Sequence, residues 1–340
     1  MAVTSVVIET GDWTIFENQL LYSALHYAEK NGIGFNHSLN KDLKVASCIL
    51  NVNGVRCFLD YSDQTVFMAD PALYDYYFKR SLLPSDYKVN VHPLNLMVNL
   101  SYKPFKMLAS LKPATLFQLI RSRKWSEIIR AVDVSPSFTN LSHHAMDVRR
   151  IPTTASDNGG RILYMSRLWN PDNHPDPAEQ ERRWIQTQIR IDICRSLKKH
   201  FPNAISGLFP DELSKKLAPD LLLKNTTTTK YAYLKTLRGA DICIADDGLG
   251  NTPGWKIGEY LMFGKAVITT PISIVVENLT APENYLVLEK EGIAETLPLY
   301  IERLMHDKQY LQMGIRNKQW SNQYLWPEAY FKRILDIAVQ

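Results

Sequence analysis

The chain has 340 residues, of which 45% are hydrophobic and 22% charged, and its formal net charge is +4. The length exceeds that of one typical core and predicts two domains of roughly 150 residues each, and the composition excludes a disordered chain. The mild positive charge argues against a nucleic-acid-binding protein, which usually carries a denser basic stripe.

The N-terminal half mixes helix and strand patterns. Its apolar spacing and turn residues predict, in chain order, a strand at 3–9, a helix at 17–30, strands at 45–50 and 55–59, a helix at 72–82, a strand at 87–92 and helices at 114–123 and 125–132. Asn53-Gly54 lies between the second and third strands and is typical of a hairpin turn. Gly32 follows the first helix in the manner of a C-cap.

The sequence PTTASDNGG at 152–160 indicates a linker, and the pattern after it is more regular. We predict strands at 161–166, 204–208, 240–245 and 266–269, and helices at 178–200, 229–238, 253–263, 295–306, 308–322 and 327–339. Alternating strands and helices indicate a parallel, doubly wound sheet, which binds ligands beyond the carboxyl ends of its strands. The predicted domains are therefore 1–151 and 152–325, and the final helix, 326–340, is a candidate to cross back to the first domain.

The cysteines and the hydropathy pattern favour a cytoplasmic protein. Cys48, Cys57, Cys194 and Cys243 are widely spaced and form no CxxC pair, so we expect reduced, buried thiols. The N-terminal residues lack the basic start of a signal peptide. No apolar run approaches the ~20 residues that cross a bilayer.

The most informative segment runs from 246 to 271. A buried strand ends at Asp246-Asp247 and is followed by a loop that contains Gly248 and Gly250. Glycines let backbone N–H groups approach a phosphate, and the N-terminus of the next helix favours an anion. Thr252 is the candidate N-cap of that helix and Pro253 its candidate first residue.

Two charged residues follow in the same helix. Lys256 lies in the first turn, where the helix dipole disfavours a cation unless an anionic ligand is present. Glu259 lies three residues later, on the same face. A lysine for phosphate and a carboxylate for ribose hydroxyls suit a nucleotide site. The alternative is a solvated surface pair worth ~0.3 kcal/mol.

Three segments resemble the group 1 glycosyltransferases of the GT-B fold. KIGEYL at 256–261 with GKAVITTP at 264–271 is similar to the family's K-x-x-E-Y and G-K-P-V-I-x-T-P signature. RILYMSRL at 161–168 resembles the first strand of the family's C-terminal domain, and ADICI at 240–244 resembles its A-D-V element. The resemblance implies an α/β fold of two Rossmann-like domains with the donor cleft between them.

The resemblance also implies roles for single residues. Arg167 matches the arginine near the donor diphosphate, and Lys256 matches the lysine that faces the same group. Glu259 matches the glutamate that contacts the donor ribose. The residues Asp247 and Gly248 to Gly250 match the E-G-F-G turn near the donor sugar.

The chain departs from the family pattern in two ways that bear on mechanism, and one is that the lysine of the family's R-L-x-x-x-K-G element is absent from 167–174. Retaining members have a glutamate eight residues before the position of Glu259, and this chain has Asn251 there. The departure at Asn251 favours inversion, which needs a base on the acceptor side. Asp12, after the first strand, is our candidate base, and a plain turn residue is the alternative. The reserve candidates are Glu9, Asp60, Asp63 and His92.

We find no D-x-D motif, expect no metal site and read His143-His144 as a loop. We expect no cofactor beyond the nucleotide sugar, which is a co-substrate. Basic and aromatic residues cluster at 78–80 and 121–125. These clusters are either solvated faces or contacts with the inner surface of the membrane.

The leading hypothesis is a glycosyltransferase that moves a sugar from a nucleotide-sugar donor to a glycan or lipid-linked glycan acceptor. Bacterial surface polysaccharide synthesis, of lipopolysaccharide or capsule, is the setting that the family resemblance implies. The alternatives are a nucleotide-sugar epimerase or hydrolase of the same fold, and a non-catalytic nucleotide-sugar-binding protein.

Overall fold

The computed structural model describes residues 5–111, 145–224 and 228–339, together with residues 113, 117 and 121. The helices predicted at 114–123 and 125–132, most of the basic cluster at 121–125 and His143-His144 lie outside the described residues. The chain divides into two compact units. The first comprises Met1–Ile151, Ile274–Glu277 and Asn322–Gln340, and the second comprises Pro152–Ser273 and Asn278–Ser321.

The described strands and helices alternate along most of the chain. The strands are β1 (Ser5–Thr10), β2 (Gly34–Leu39), β3 (Ser47–Val52), β4 (Val55–Asp60), β5 (Tyr76–Lys79), β6 (Val91–Pro93), β7 (Leu100–Ser101), β8 (Met146–Asp147), β9 (Ile162–Ser166), β10 (Ile205–Leu208), β11 (Ile242–Ala245), β12 (Ala266–Thr269) and β13 (Tyr285–Val287). The helices are α1 (Asn18–Asn31), α2 (Pro104–Ala109), α3 (Pro177–His200), α4 (Glu212–Leu217), α5 (Lys230–Arg238), α6 (Trp255–Met262), α7 (Ile293–Met305), α8 (Gln309–Tyr324) and α9 (Pro327–Ala338).

The first unit is built on a six-stranded sheet with the order β2-β1-β3-β4-β5-β6. Strand β3 runs antiparallel to β1 and β4, and the other neighbouring pairs are parallel. Asn53 and Gly54 both have positive φ and join β3 to β4, which confirms the predicted hairpin. Gly32, with φ 66°, ends α1 as its left-handed C-cap, also as predicted.

The helix predicted at 72–82 is wrong. Asp70 caps a single 3₁₀ turn at Pro71–Leu73, and the chain then enters the short buried strand β5. A short apolar run cannot be assigned to helix or strand by periodicity alone, and here the tertiary pairing with β4 and β6 decided. Strand β2 was missed, because its segment GFNHSL lacks an apolar pattern.

A buried ion pair joins two strand ends in the first unit. Lys79, the last residue of β5, contacts the Asp60 carboxylate at the end of β4 at 2.9 Å, and both side chains are fully buried. The same carboxylate accepts hydrogen bonds from the Tyr77 hydroxyl and from Ser62. The Asp60 charge is therefore compensated without water.

The last helix, α9, belongs to the first unit and packs against α1. The Tyr330 hydroxyl is 2.7 Å from the Tyr61 hydroxyl in the core. Phe331 is fully buried, and its ring centroid lies 5.5 Å from that of Tyr27 on α1. The C-terminal residues of this unit therefore complete a core that the N-terminal residues begin.

The second unit contains a parallel five-stranded sheet with the order β10-β9-β11-β12-β13. In chain order this is 2-1-3-4-5, the doubly wound arrangement with its switch point between β9 and β11. The predicted strands and helices of this half are confirmed, with small shifts of their ends. The sheets of the two units confirm the predicted α/β class.

All four cysteines are free and buried, as predicted. Within the part of the chain that the structure describes, no helix is both long and apolar enough to cross a membrane.

Candidate functional site

The sequence-predicted residues of the second unit lie at the carboxyl edge of its sheet. Arg167 follows β9, and Asp246-Asp247 follows β11, so they flank the switch point of the strand order. In doubly wound sheets the loops at this point diverge and leave a crevice for a ligand. The topology therefore brings together residues that are 80 positions apart in the sequence.

The end of β9 receives two cationic side chains. The Lys256 ammonium donates a hydrogen bond to the carbonyl oxygen of Met165, and Arg190 donates one to that of Arg167. The Arg167 side chain is exposed, and its guanidinium carbon lies 4.2 Å from the centroid of the Phe209 ring. This cation–π contact holds the guanidinium plane in place without neutralising its charge.

The loop after β11 is closed on itself. The Gly248 N–H donates to the carbonyl oxygen of Thr252 at 2.6 Å, and a bridge pairs Asp247 with Pro253. A Cβ atom on Gly248 would lie 2.8 Å from the Thr252 oxygen, so this position requires glycine. Gly250 has φ 60° and follows the helical Leu249, and this succession is the backbone conformation of an anion-binding nest.

The start of α6 differs from the prediction. Its N-cap is Gly254 rather than Thr252, and no side chain caps it. Pro253 precedes the helix and pairs with Asp247 instead of occupying the first helical position. The local sequence favoured Thr252 as the N-cap and Pro253 as the first helical residue. Both residues instead belong to the closed glycine loop that precedes the helix.

Asp247 is a buried carboxylate with two side-chain partners. One oxygen accepts a hydrogen bond from the Thr270 hydroxyl at 3.1 Å, and the other contacts the Lys290 ammonium at 3.0 Å. Lys290 follows β13 and is the exposed partner of this pair. Asp247 is thus fixed from the segments that follow β12 and β13.

Asp246 anchors a buried polar network that the sequence did not reveal. Its carboxylate accepts hydrogen bonds from Arg190 at 2.5 and 2.9 Å and from the Tyr164 hydroxyl at 3.0 Å. Burial and the Asp246 charge raise the pKa of Tyr164 well above its usual value, so the hydroxyl stays a donor. Arg190 and Tyr164 were read only as members of a helix and a strand.

Glu259 does not form the solvated pair with Lys256 that the sequence left open. It is buried, and its carboxylate contacts the ammonium of Lys230, the first residue of α5. The Lys230 ammonium also lies 5.1 Å from the centroid of the Tyr233 ring. A buried carboxylate held at one side by an ammonium can still accept hydrogen bonds from hydroxyl groups of a ligand.

Four carboxylates around this edge are paired with cations. The ion pairs are Asp246–Arg190, Asp247–Lys290, Glu259–Lys230 and Glu179–Arg182. In contrast, Lys256 and Arg167 have no carboxylate within ion-pair distance among the described residues. The Lys256 and Arg167 side chains therefore offer positive charge that an anionic ligand would neutralise.

Lys256 is half-buried, and its titration reflects this position. Desolvation lowers the pKa of its ammonium to about 8, opposed by the nearby charges of Asp246 and Glu259. The positive charge of Arg190 adds to the lowering. An anion at this point would favour the charged form and raise the pKa again.

In the first unit, Asp12 accepts a hydrogen bond at 2.9 Å from the backbone N–H of Trp13, as a turn residue does. Its role as a base stays a prediction. Among the reserves, Asp60 and Asp63 are in ion pairs with Lys79 and Arg80. Burial lowers the pKa of His92, while Glu9 accepts a hydrogen bond from Asn40.

Across the described residues, no cluster of three or more histidine, cysteine, aspartate or glutamate side chains has an arrangement that could hold a metal ion. The ligand groups at the edge of the second sheet are instead cations, backbone N–H groups and paired carboxylates. Such groups bind anions and hydroxyls.

No protein-family model and no curated protein sequence matches the chain. Among solved structures, it is similar to the C-terminal domain of a glycosyl transferase group 1 family protein (LpcC) from Francisella tularensis, with 13% identity, a TM-score of 0.35 and coverage of 53% of this chain and 97% of that one. It is also similar to an alpha-glucosyltransferase in complex with UDP-glucose and DNA containing an abasic site, with 13% identity, a TM-score of 0.44 and coverage of 99% and 100%.

A third similar structure is a UDP-GlcNAc 2-epimerase from Neisseria meningitidis bound to UDP-GlcNAc, with 12% identity, a TM-score of 0.40 and coverage of 98% of both chains. These proteins include both transferases and an epimerase.

Proposed function

We propose that this chain is a glycosyltransferase that takes a sugar from a nucleoside diphosphate sugar and transfers it to a glycan or lipid-linked glycan. The observation that carries the proposal is the positive charge of Lys256 and Arg167 at the switch point of the second sheet, where no carboxylate of the described residues pairs with either. A donor diphosphate has the complementary charge, and the Gly248–Gly250 loop beside it offers N–H donors.

The other site residues receive roles that fit their surroundings. Arg167 and Lys256 bind the diphosphate, because both lack a carboxylate partner in the described residues. Glu259 binds the ribose, held in orientation by Lys230. Asp247, with Gly248 and Gly250, faces the transferred sugar. These assignments follow the family resemblance, and the contacts support them.

The chemistry that we propose is inverting and needs no metal ion. A base on the acceptor side removes the proton of the acceptor hydroxyl as that oxygen attacks the anomeric carbon. The nucleoside diphosphate leaves with the bonding electron pair, and Lys256 and Arg167 stabilise the charge that develops on it. Asp12 is our candidate base. A role in surface polysaccharide synthesis at the inner face of the membrane belongs to the same proposal.

A panel of UDP-, GDP- and ADP-sugars tests donor binding by thermal shift. A donor present at a hundredfold excess over its Kd should stabilise the protein by about 2.7 kcal/mol. Lys256→Met should weaken donor affinity by about 10- to 100-fold, since a charge-assisted hydrogen bond contributes roughly 1.5–3 kcal/mol. Lys215→Met is the control, because Lys215 is exposed and, among the described residues, its ion-pair partner is Glu212 on the same helix.

The outcomes separate the candidate functions. If no nucleotide sugar stabilises the wild type, the proposal is wrong. Release of nucleoside diphosphate that depends on an added glycan acceptor supports transfer. Donor turnover without any acceptor would instead indicate an epimerase or a hydrolase.

A further inference from the structure

Three polar side chains on α3 follow one face of the helix. Arg182, Gln186 and Arg190 are spaced by four residues each and therefore lie one above the other. Gln186 and Arg190 are 2% and 6% exposed, and Arg182 is half-buried. A buried hydrogen-bond donor costs free energy unless it has an acceptor. The acceptors that Arg182, Gln186 and Arg190 contact therefore indicate the role of this row of side chains, which we call the stripe.

The acceptors of these three side chains include backbone carbonyl groups of the candidate site. Arg182 donates to the carbonyl oxygen of Gly248 at 2.9 Å, and Gln186 donates to the same oxygen at 3.2 Å. Gln186 also donates to the carbonyl oxygen of Asp247. Arg190 donates to the carbonyl oxygen of Arg167 and to the Asp246 carboxylate.

These contacts orient the Gly248–Leu249 peptide. Its oxygen is drawn to α3 by two donors, and a trans peptide places its N–H on the opposite side. The Leu249 N–H therefore points away from α3, into the nest that Leu249 and Gly250 form. A charged donor on the carbonyl also polarises the peptide and strengthens its N–H as a hydrogen-bond donor.

We propose that Arg182 and Gln186 are positioning residues that fix the Gly248–Leu249 peptide, so that the Leu249 N–H is directed at the bound donor. Arg190 acts in the same way on Arg167. Neither Arg182 nor Gln186 is required to touch the ligand. This inference rests on the proposed function, because it assigns the donor as the group that the oriented N–H serves.

The contacts of Arg182 distinguish this role from a simple ion pair. Glu179 is bound by two nitrogens of Arg182, at 2.6 and 2.7 Å, and these hydrogen bonds lower the pKa of that carboxyl to about 2. The third nitrogen of Arg182 goes to Gly248. Arg183 shares the same Glu179 but donates to the Asn170 carbonyl oxygen at 3.3 Å instead. Arg183 is thus a matched control.

Amide hydrogen exchange of the unliganded protein tests the orientation of the loop. Arg182→Met should raise the exchange rate of the 247–252 segment about tenfold, while Arg183→Met should leave it unchanged. Gln186→Met keeps a similar side-chain volume and removes the donor without adding a charge, so it should act like Arg182→Met. If Arg182→Met and Arg183→Met leave the exchange of this segment equal to that of the wild type, the proposal is overturned.

Affinity for the best-binding nucleotide sugar of the panel tests the consequence. We expect a loss of about tenfold for Arg182→Met and for Gln186→Met, and less than twofold for Arg183→Met, with melting temperatures within a few degrees of the wild type. Equal affinity of the Arg182 variant and the wild type would also overturn the proposal. Failure of the wild type to bind any nucleotide sugar would refute the proposed function, and the exchange rates would still decide whether the stripe orders the loop.

Discussion

Lys256 has two properties that matter for the candidate site. Its side chain is half-buried, and no carboxylate of the described residues forms an ion pair with it. Its ammonium titrates at a pKa of about 8 in the unliganded protein because desolvation outweighs the attraction of Asp246 and Glu259. The lysine is therefore charged at neutral pH but close to losing its proton. A ligand that needs this charge must bind differently on the two sides of pH 8.

We predict that donor affinity is constant below about pH 7 and falls above pH 8, approaching tenfold per pH unit. The bound anion raises the pKa of Lys256, so binding above pH 8 takes up a proton, which calorimetry in buffers of different ionisation enthalpy detects. A nucleotide sugar is the suitable probe, because its diphosphate is esterified at both ends. Lys256→Arg should abolish the slope, since arginine stays charged. A slope that persists in this variant would assign the proton to another group.

At the scale of elements, the buried pair Asp60–Lys79 shows how two strand ends are held together. We predict that Lys79→Met lowers the free energy of unfolding by about 3–5 kcal/mol, because Asp60 is left as an uncompensated buried charge. The measurement is urea denaturation. Lys30→Met is the control, since the Lys30–Glu328 pair is exposed and should contribute less than ~1 kcal/mol. Equal effects of the two substitutions would contradict this account.

Most elements of the second unit could be predicted because glycine, proline and polar residues separate its apolar segments, but β13 and α4 were not predicted. Strand β12 lies where the sequence placed it, and α3 begins one residue earlier than predicted. Strands β5 and β2 could not be assigned, because β5 is a short apolar run and β2 is largely polar. Their pairing partners are distant in the sequence, and local patterns do not contain that information.

Only those residues of the candidate site that lie together in one continuous segment of the sequence could be predicted. The glycine loop, Lys256 and Glu259 were visible in one stretch of sequence. The partners Lys230 and Lys290 were not, because the fold brings them in from α5 and from the segment after β13. The i, i+4, i+8 spacing of Arg182, Gln186 and Arg190 was present in the sequence, but charged residues on a helix usually indicate a solvated face.

At the scale of the whole molecule, α9 matters because it completes the core of the first unit. We predict that Phe331→Ala destabilises this unit by about 3–5 kcal/mol, since a fully buried aromatic ring is lost. Amide exchange should show reduced protection in α1 and β1 and unchanged protection in β9 and β11. The control is Lys332→Ala at the exposed neighbouring position, with an effect within ~0.5 kcal/mol. Loss of protection in both units alike would contradict this division.

The first unit is composed of Met1–Ile151, Ile274–Glu277 and Asn322–Gln340. This composition affects the order in which the two units can fold during biosynthesis. On the ribosome, the second unit has all of its residues once position 321 has been made, whereas the first unit still lacks α9. The unit that begins the chain is therefore the later one to reach its native core. Until then its half-built interior, including Tyr61 and Tyr27, is a surface that chaperones can recognise.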